Sequence, residues 1–243
     1  MSVAWFRFYE ELNDFLSSAR KRQDFSTSFT GNPSVKDVIE SIGVPHPEID
    51  LILVNGNSVD FNYKLRNEDR VSVYPVFESF DISGATHLRA KPLRETKFIC
   101  DVHLGRLAKY LRLAGFDTVY KSDLTDNQII NASVNERRII LTRDKGLLKN
   151  RKVTHGCWIR SAYPREQFSE VIRKFDLRNS FNPFTRCLEC NEVLVEVSKD
   201  EVINQLPPKT KKYYNSFKNC PICNRIFWEG SHYEKMKSYI ISV

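Results

Sequence analysis

Two C-x-x-C pairs, Cys187-Leu188-Glu189-Cys190 and Cys220-Pro221-Ile222-Cys223, constrain this chain of 243 residues more than any other feature. Two intervening residues let both sulfurs of a knuckle face one ion, and two knuckles complete a tetrahedron with bonds near 2.3 Å. The spacing predicts a four-cysteine zinc ribbon with Cys187, Cys190, Cys220 and Cys223 as ligands. Four protein thiolates leave no open coordination position, so the Zn²⁺ is expected to be structural. The 29 residues between the pairs exceed the commonest spacing of about 15–20 and call for an insertion. Cys100 and Cys157 lie in apolar strands and read as plain core residues. Four of six cysteines in metal-type pairs suit a reducing compartment. The segment Met1–Arg7 has no basic stretch leading into an apolar core and cleavage site, and no apolar run approaches the roughly 20 residues that span a bilayer. A cytoplasmic location without a membrane partner is the expectation.

Charge divides the chain. Residues 1–85 hold eight basic and 13 acidic side chains, a net −5, which leaves +12 on the remainder and +7 overall. An acidic accessory domain on a basic body suggests a polyanion as partner, nucleic acid being the usual one.

Residues 1–80 read as a small domain. Strand-like runs begin at Trp5 and at Phe25–Phe29. Ser34 and Asp37 open a helix whose apolar face is Val35, Val38, Ile39 and Ile42. Asn55-Gly56 between Leu51–Val54 and Ser58–Phe61 signals a hairpin, and Arg70–Val76 alternates as a last strand. This order resembles the β-grasp fold of ubiquitin and the small sulfur-carrier proteins. The carriers need a free Gly-Gly terminus, whereas Phe77–Phe80 runs on into more protein here. Conjugation chemistry is therefore not expected, and the domain is read as a module for docking a protein partner or regulating access. Residues 81–96 read as a linker.

Residues 97–180 alternate strand and helix, the pattern of a parallel-sheet α/β domain. Ligands of such sheets bind beyond the carboxyl ends of the strands. Asp101 and Asp144 each follow a predicted strand, and Asp126 stands in the first turn of a helix that Thr125 and Gln128 cap, with Asp123, three residues earlier, competing for the same role. Three carboxylates in one crevice resist ionising together unless a cation sits among them, and oxygen donors favour Mg²⁺ or Mn²⁺. Such an ion polarises a phosphodiester and lowers the pKa of a bound water. Arg106, Arg112, Arg143 and Lys145 are candidates to hold neighbouring phosphates. Taken singly, an aspartate after a strand is more often a turn or cap residue than a ligand, and Arg106 and Arg112 on the helix also fit a solvated face.

The runs Phe98–Asp101, Leu104–Asp117 and Ile140–Asp144, with the later phrase Phe227-Trp228-Glu229-Gly230-Ser231-His232-Tyr233, closely resemble the PIN-like RNase family named after the C-terminal region of the mutator-seven exonuclease. That family has a PIN-like core followed by a four-cysteine ribbon, and some members carry an N-terminal ubiquitin-like domain. The resemblance implies that Asp101, Asp126 and Asp144 are metal-binding acids. PIN nucleases commonly use a fourth acid, which this sequence does not identify.

The ribbon occupies residues 181–243. Its inter-knuckle stretch Pro207–Lys218 interleaves cations with aromatics, which suits single-stranded RNA and makes Lys211 and Lys212 candidate substrate contacts. The expectation is an α/β chain of three parts: a β-grasp domain, a PIN-like parallel-sheet domain and a zinc ribbon. Its expected activity is metal-dependent endoribonuclease, with catalytic Asp101, Asp126 and Asp144 aided by Arg143. The competing reading is an inactive RNA-binding adaptor on the same scaffold.

Overall fold

The computed structural model describes residues 1–75 and 96–241. The expected linker over 81–96 lies, but for its last residue, outside the described residues. Strand β1 (Ser2–Phe8) pairs antiparallel with β2 (Phe25–Phe29). Helix α1 (Val35–Ile42) follows, then β3 (Ile49–Val54), β4 (Asn57–Ser58) and β5 (Arg70–Pro75). The sheet order is β2-β1-β5-β3-β4, with β1 and β5 parallel, which is the β-grasp arrangement. Local chemistry explains the elements. Ser34 Oγ accepts from the Asp37 N–H at 3.1 Å, and the Asp37 carboxylate accepts in return from the Ser34 N–H, closing a capping box. Asn55 and Gly56 both take positive φ (51° and 84°), as a tight hairpin requires. Alternation in β1 buries Ala4, Phe6 and Phe8, which meet Val35, Val38 and Ile39 of α1 in one core.

Beyond residue 96 come β6 (Lys97–Cys100), α2 (Gly105–Leu113), β7 (Asp117–Val119), α3 (Asp126–Glu136), β8 (Ile139–Thr142), α4 (Lys145–Leu148), β9 (Gly156–Trp158) and α5 (Pro164–Lys174). Strands β6 and β7 pair in parallel, with Phe98 opposite Thr118, and so do β8 and β9, with Leu141 opposite Cys157. All of β8 is buried, as parallel strands covered on both faces are. Gly115 ends α2 at φ 100°, and a Cβ there would run into the Asn182 backbone carbonyl. No helix among the described residues is long and apolar enough to cross a membrane.

The described residues form two compact units, 1–75 with 130–158 and 96–129 with 159–241. In the first unit, the segment around α4 and β9 packs on the β-grasp domain. His46, only 6% exposed, stands between Glu40 and that segment. Its Nδ1 lies 2.6 Å from Glu40 Oε1 and its Nε2 2.6 Å from the Val153 carbonyl. Lys149 Nζ donates to the Glu40 carbonyl at 2.8 Å, the Trp158 N–H donates to Glu48, and the Trp158 ring sits 4.9 Å from that of Phe15. Replacing His46 by alanine removes the side chain that bridges Glu40 and the buried Val153 carbonyl, and a buried polar group left without its partner costs about 1–3 kcal/mol. A lowered urea midpoint is expected for His46→Ala, together with faster hydrogen exchange at Val153.

In the second unit, residues after α5 build the ribbon. Strands β10 (Val195–Val197), β11 (Phe217–Asn219) and β12 (Ile226–Phe227) form an antiparallel sheet. Helices α6 (Lys199–Val202) and α7 (Pro208–Tyr213) lie between β10 and β11, and α8 (Ser231–Ile241) follows β12. The long spacing between knuckles is thereby explained. The insertion has a small core of its own, in which Val202, Leu206 and Phe217 meet Tyr214, Ile226 and Trp228.

Candidate metal centre and candidate active site

The two knuckles have the same local build. The Cys187 N–H donates to Glu192 O and the Asn191 N–H to Cys187 O; the Cys220 N–H donates to Arg225 O and the Asn224 N–H to Cys220 O. The residue after the second cysteine of each pair, Asn191 or Asn224, takes positive φ (70° and 56°), which asparagine tolerates better than most side chains. Both turns aim their sulfurs at one point. All four Sγ atoms lie within 4.8 Å of one another, with Cys190 and Cys220 3.3 Å apart and Cys187 and Cys223 3.6 Å apart. Sulfurs bound to one ion at 2.3 Å stand about 3.8 Å apart, so the donor set and the spacing fit zinc. Among the described residues this is the group of three or more metal-type ligands that converges.

The thiols do not ionise alike. Burial acts to raise both, and it pushes Cys190 up to about 12. Backbone N–H groups at Cys223 and Ile222 and the neighbouring thiols outweigh burial at Cys220 and bring it down to about 7. Four sulfurs this close share protons, and a dication relieves the conflict.

The first knuckle is tied to the α/β core by Arg112. This side chain is 2% exposed. Its Nε donates to Thr118 O at 2.9 Å, and its Nη1 donates to Leu188 O at 3.0 Å and Glu189 O at 2.8 Å. Burial pulls the guanidinium below its usual range, and the nearby cysteines oppose that shift. The expected phosphate contact at Arg112 is therefore corrected, because its donors are engaged inside the protein. Periodicity carried the signal: Ala108 and Arg112 are four residues apart, on the face that Leu104 and Leu111 bury. Arg112→Met leaves the buried Thr118 carbonyl and the part-buried carbonyls of Leu188 and Glu189 without their donor and is expected to cost about 1–3 kcal/mol, read as a fall in thermal midpoint. Asn191, which the sequence reading missed, adds a second tie. Its amide accepts from the Thr118 N–H at 2.8 Å and donates to Asp117 at 2.7 Å.

The candidate acids stand at the ends of elements. Asp101 follows β6 and is 7% exposed. The turn after it is braced by Tyr120, whose hydroxyl donates to Val102 O at 3.1 Å. Gly105 makes room for this, since a Cβ there would sit 2.6 Å from the Tyr120 hydroxyl. Asp126 is exposed as the first residue of α3, and Thr125 with Gln128 closes the cap there as expected. Asp101 and Asp126 belong to the second unit. Asp144 belongs to the first, where it caps α4 through Oδ1, which accepts from the Gly146 N–H at 2.7 Å.

The candidate cations divide. Arg106 and Arg143 are exposed, and the Arg143 carbonyl accepts from Trp158 Nε1 at 3.3 Å. Lys145 is half-buried, and its Nζ lies 3.9 Å from the Trp158 ring centre and 4.9 Å from that of Phe15. Lys211 is half-buried and Lys212 exposed on α7, the latter 5.3 Å from the Tyr213 ring. Cys100 and Cys157 are fully buried, as core residues should be.

A family model described as the Mut7-C RNAse domain matches residues 96–240, and one described as Mut7-C ubiquitin matches residues 1–81. Searches of curated proteins and of solved structures return no significant match.

Proposed function

The chain belongs to the Mut7-C RNAse domain family, and we propose on that premise that it is a metal-dependent endoribonuclease. The observation that carries the proposal is that β6 and β8, strands with parallel partners inside the matched domain, are each followed closely by an aspartate, Asp101 directly after β6 and Asp144 two residues after β8. Asp101, Asp126 and Asp144 are the residues that would hold Mg²⁺ or Mn²⁺. Carboxylate oxygens are the donors these ions prefer. When bound, the ion supplies charge stabilisation at a phosphodiester and a more acidic water. The protein's own part is positioning. The Tyr120 hydroxyl fixes the backbone beside Asp101, and the Gly146 N–H holds one oxygen of Asp144. Arg143 and Arg106, both exposed, would meet phosphates of the strand. The cysteine cluster would hold Zn²⁺ as a structural ion, and the ribbon would help to seat RNA. The ubiquitin-like domain suggests protein interaction.

The test is cleavage of a mixed panel of structured and single-stranded RNAs by the purified chain, with Mg²⁺, with Mn²⁺ and with neither. Cleavage that needs the divalent ion is the expected result. RNA binding with no cleavage in either ion would sink the enzyme and favour the adaptor.

A further inference from the structure

A cavity of about 570 Å³ opens in the second unit, at the seam of α7, β12 and α8. Its size is that of a small-molecule site. Rings from three separate elements line it, among them Tyr213 and Tyr214 at the end of α7, Trp228 just after β12, and Tyr233 of α8. Among the described residues no acidic side chain lines it, and the one charged lining residue is Lys209. Lys211 and Lys212 extend that positive charge along α7. Thr210 and Ser231, which carry hydroxyls, also line it. Tyr213 is 67% exposed. An aromatic side chain held this open has little packing role, whereas Tyr214 and Trp228 also cover the insertion core.

We propose that this cavity takes one unstacked base of a single-stranded RNA, with the adjoining phosphate on Lys209. The proposal rests on the ribonuclease reading for the identity of its ligand class and deepens it by naming single-stranded RNA as the substrate form. The chemistry matches part by part. A base has two apolar π faces, which aromatic side chains stack regardless of sequence. It has a polar edge, which hydroxyls can meet, and it is joined to an anion, which a lysine at the wall attracts. A base inside a duplex offers no free face, so paired RNA is excluded from the cavity. An acidic peptide would satisfy the lysines, but it offers no planar ring to the aromatic wall.

The experiment uses the full zinc-loaded chain carrying Asp144→Asn, so that bound RNA stays intact. It is titrated at fixed salt with a short single strand bearing one 2-aminopurine, with the same strand made abasic at that position, with its duplex, and with a polyglutamate peptide. The single strand is expected to bind with quenching of the 2-aminopurine. Tyr213→Ala is expected to weaken it about 5- to 150-fold and to abolish the quench. Tyr213→Phe is expected to keep both, and the abasic strand to be indifferent to Tyr213. Unchanged affinity in Tyr213→Ala, equal binding of the duplex, or equal Tyr213-dependent binding of polyglutamate would each overturn the proposal. Cleavage is scored separately in the chain with Asp144 intact. Tyr213-dependent binding without cleavage would retain the cavity and sink the nuclease, and cleavage with Tyr213-independent binding would do the reverse.

Discussion

Serine in place of Cys220 is expected to empty the metal centre and unfold the ribbon. Cys220 and Cys187 are wholly buried, and their sulfurs belong to a set spaced for one tetrahedral ion. A hydroxyl is a poor ligand for zinc at neutral pH, and losing one of four thiolates removes much of a binding energy that is on the order of 10–16 kcal/mol for structural sites. The strands around the knuckles are two or three residues long and cannot hold alone. Damage should then spread along the Arg112 tie, because Leu188 O and Glu189 O keep their places only while the first knuckle is folded. Elemental analysis should show zinc falling from one equivalent to near none, with loss of ellipticity and protease sensitivity confined at first to the C-terminal third. Cys157→Ser, in a buried strand of the other compact unit, should keep its zinc. Retention of stoichiometric zinc in Cys220→Ser would remove the four-thiolate centre from consideration.

What could be read from residue order, and what could not, follows from the range of the forces involved. The α1 cap at Ser34 and Asp37, the Asn55-Gly56 turn and the C-x-x-C knuckles are all settled by atoms within a few residues of one another, and each is present as expected. Strands β6, β7 and β8 occupy their expected positions because short runs rich in β-branched and apolar residues, set between helical patterns, read as strands. The ribbon sheet was not legible, because strands of two or three residues carry no period. Arg112 was misread because a cation on an amphipathic helix is usually solvated; its place on the buried face was the signal, and its partners, Thr118 nearby and Leu188 some 76 residues away, are not announced by the helix itself. The packing of residues 130–158 with the β-grasp domain is likewise a long-range outcome, since neither His46 nor Val153 announces its partner.

Asparagine substitutions should separate the three candidate acids by more than activity alone. Asparagine caps a helix about as well as aspartate. Asp144→Asn should therefore preserve the bond from the Gly146 N–H, change stability by less than about 0.5 kcal/mol, and still remove the charge a divalent ion needs. Cleavage is expected to fall on the order of 10³-fold, the scale on which losing one preorganised electrostatic group is felt. Asp101→Asn should lose a similar amount of activity. Because that side chain is buried, it should also shift the unfolding midpoint, so its activity must be measured where the variant is fully folded. Asp126 is the discriminating case. It is exposed, and as a mere favourable charge at the start of α3 it is worth about 0.3–1 kcal/mol of stability and nothing in catalysis. If it binds the ion, Asp126→Asn should raise the Mg²⁺ concentration needed for half-maximal cleavage and lower the rate at saturation. An unchanged Mg²⁺ dependence in Asp126→Asn, beside inactive Asp101→Asn and Asp144→Asn proteins, would reduce the set to two acids. Full activity in Asp144→Asn would dismantle the proposed site altogether, because the carboxylate after β8 is one of the two strand-end aspartates on which it is founded.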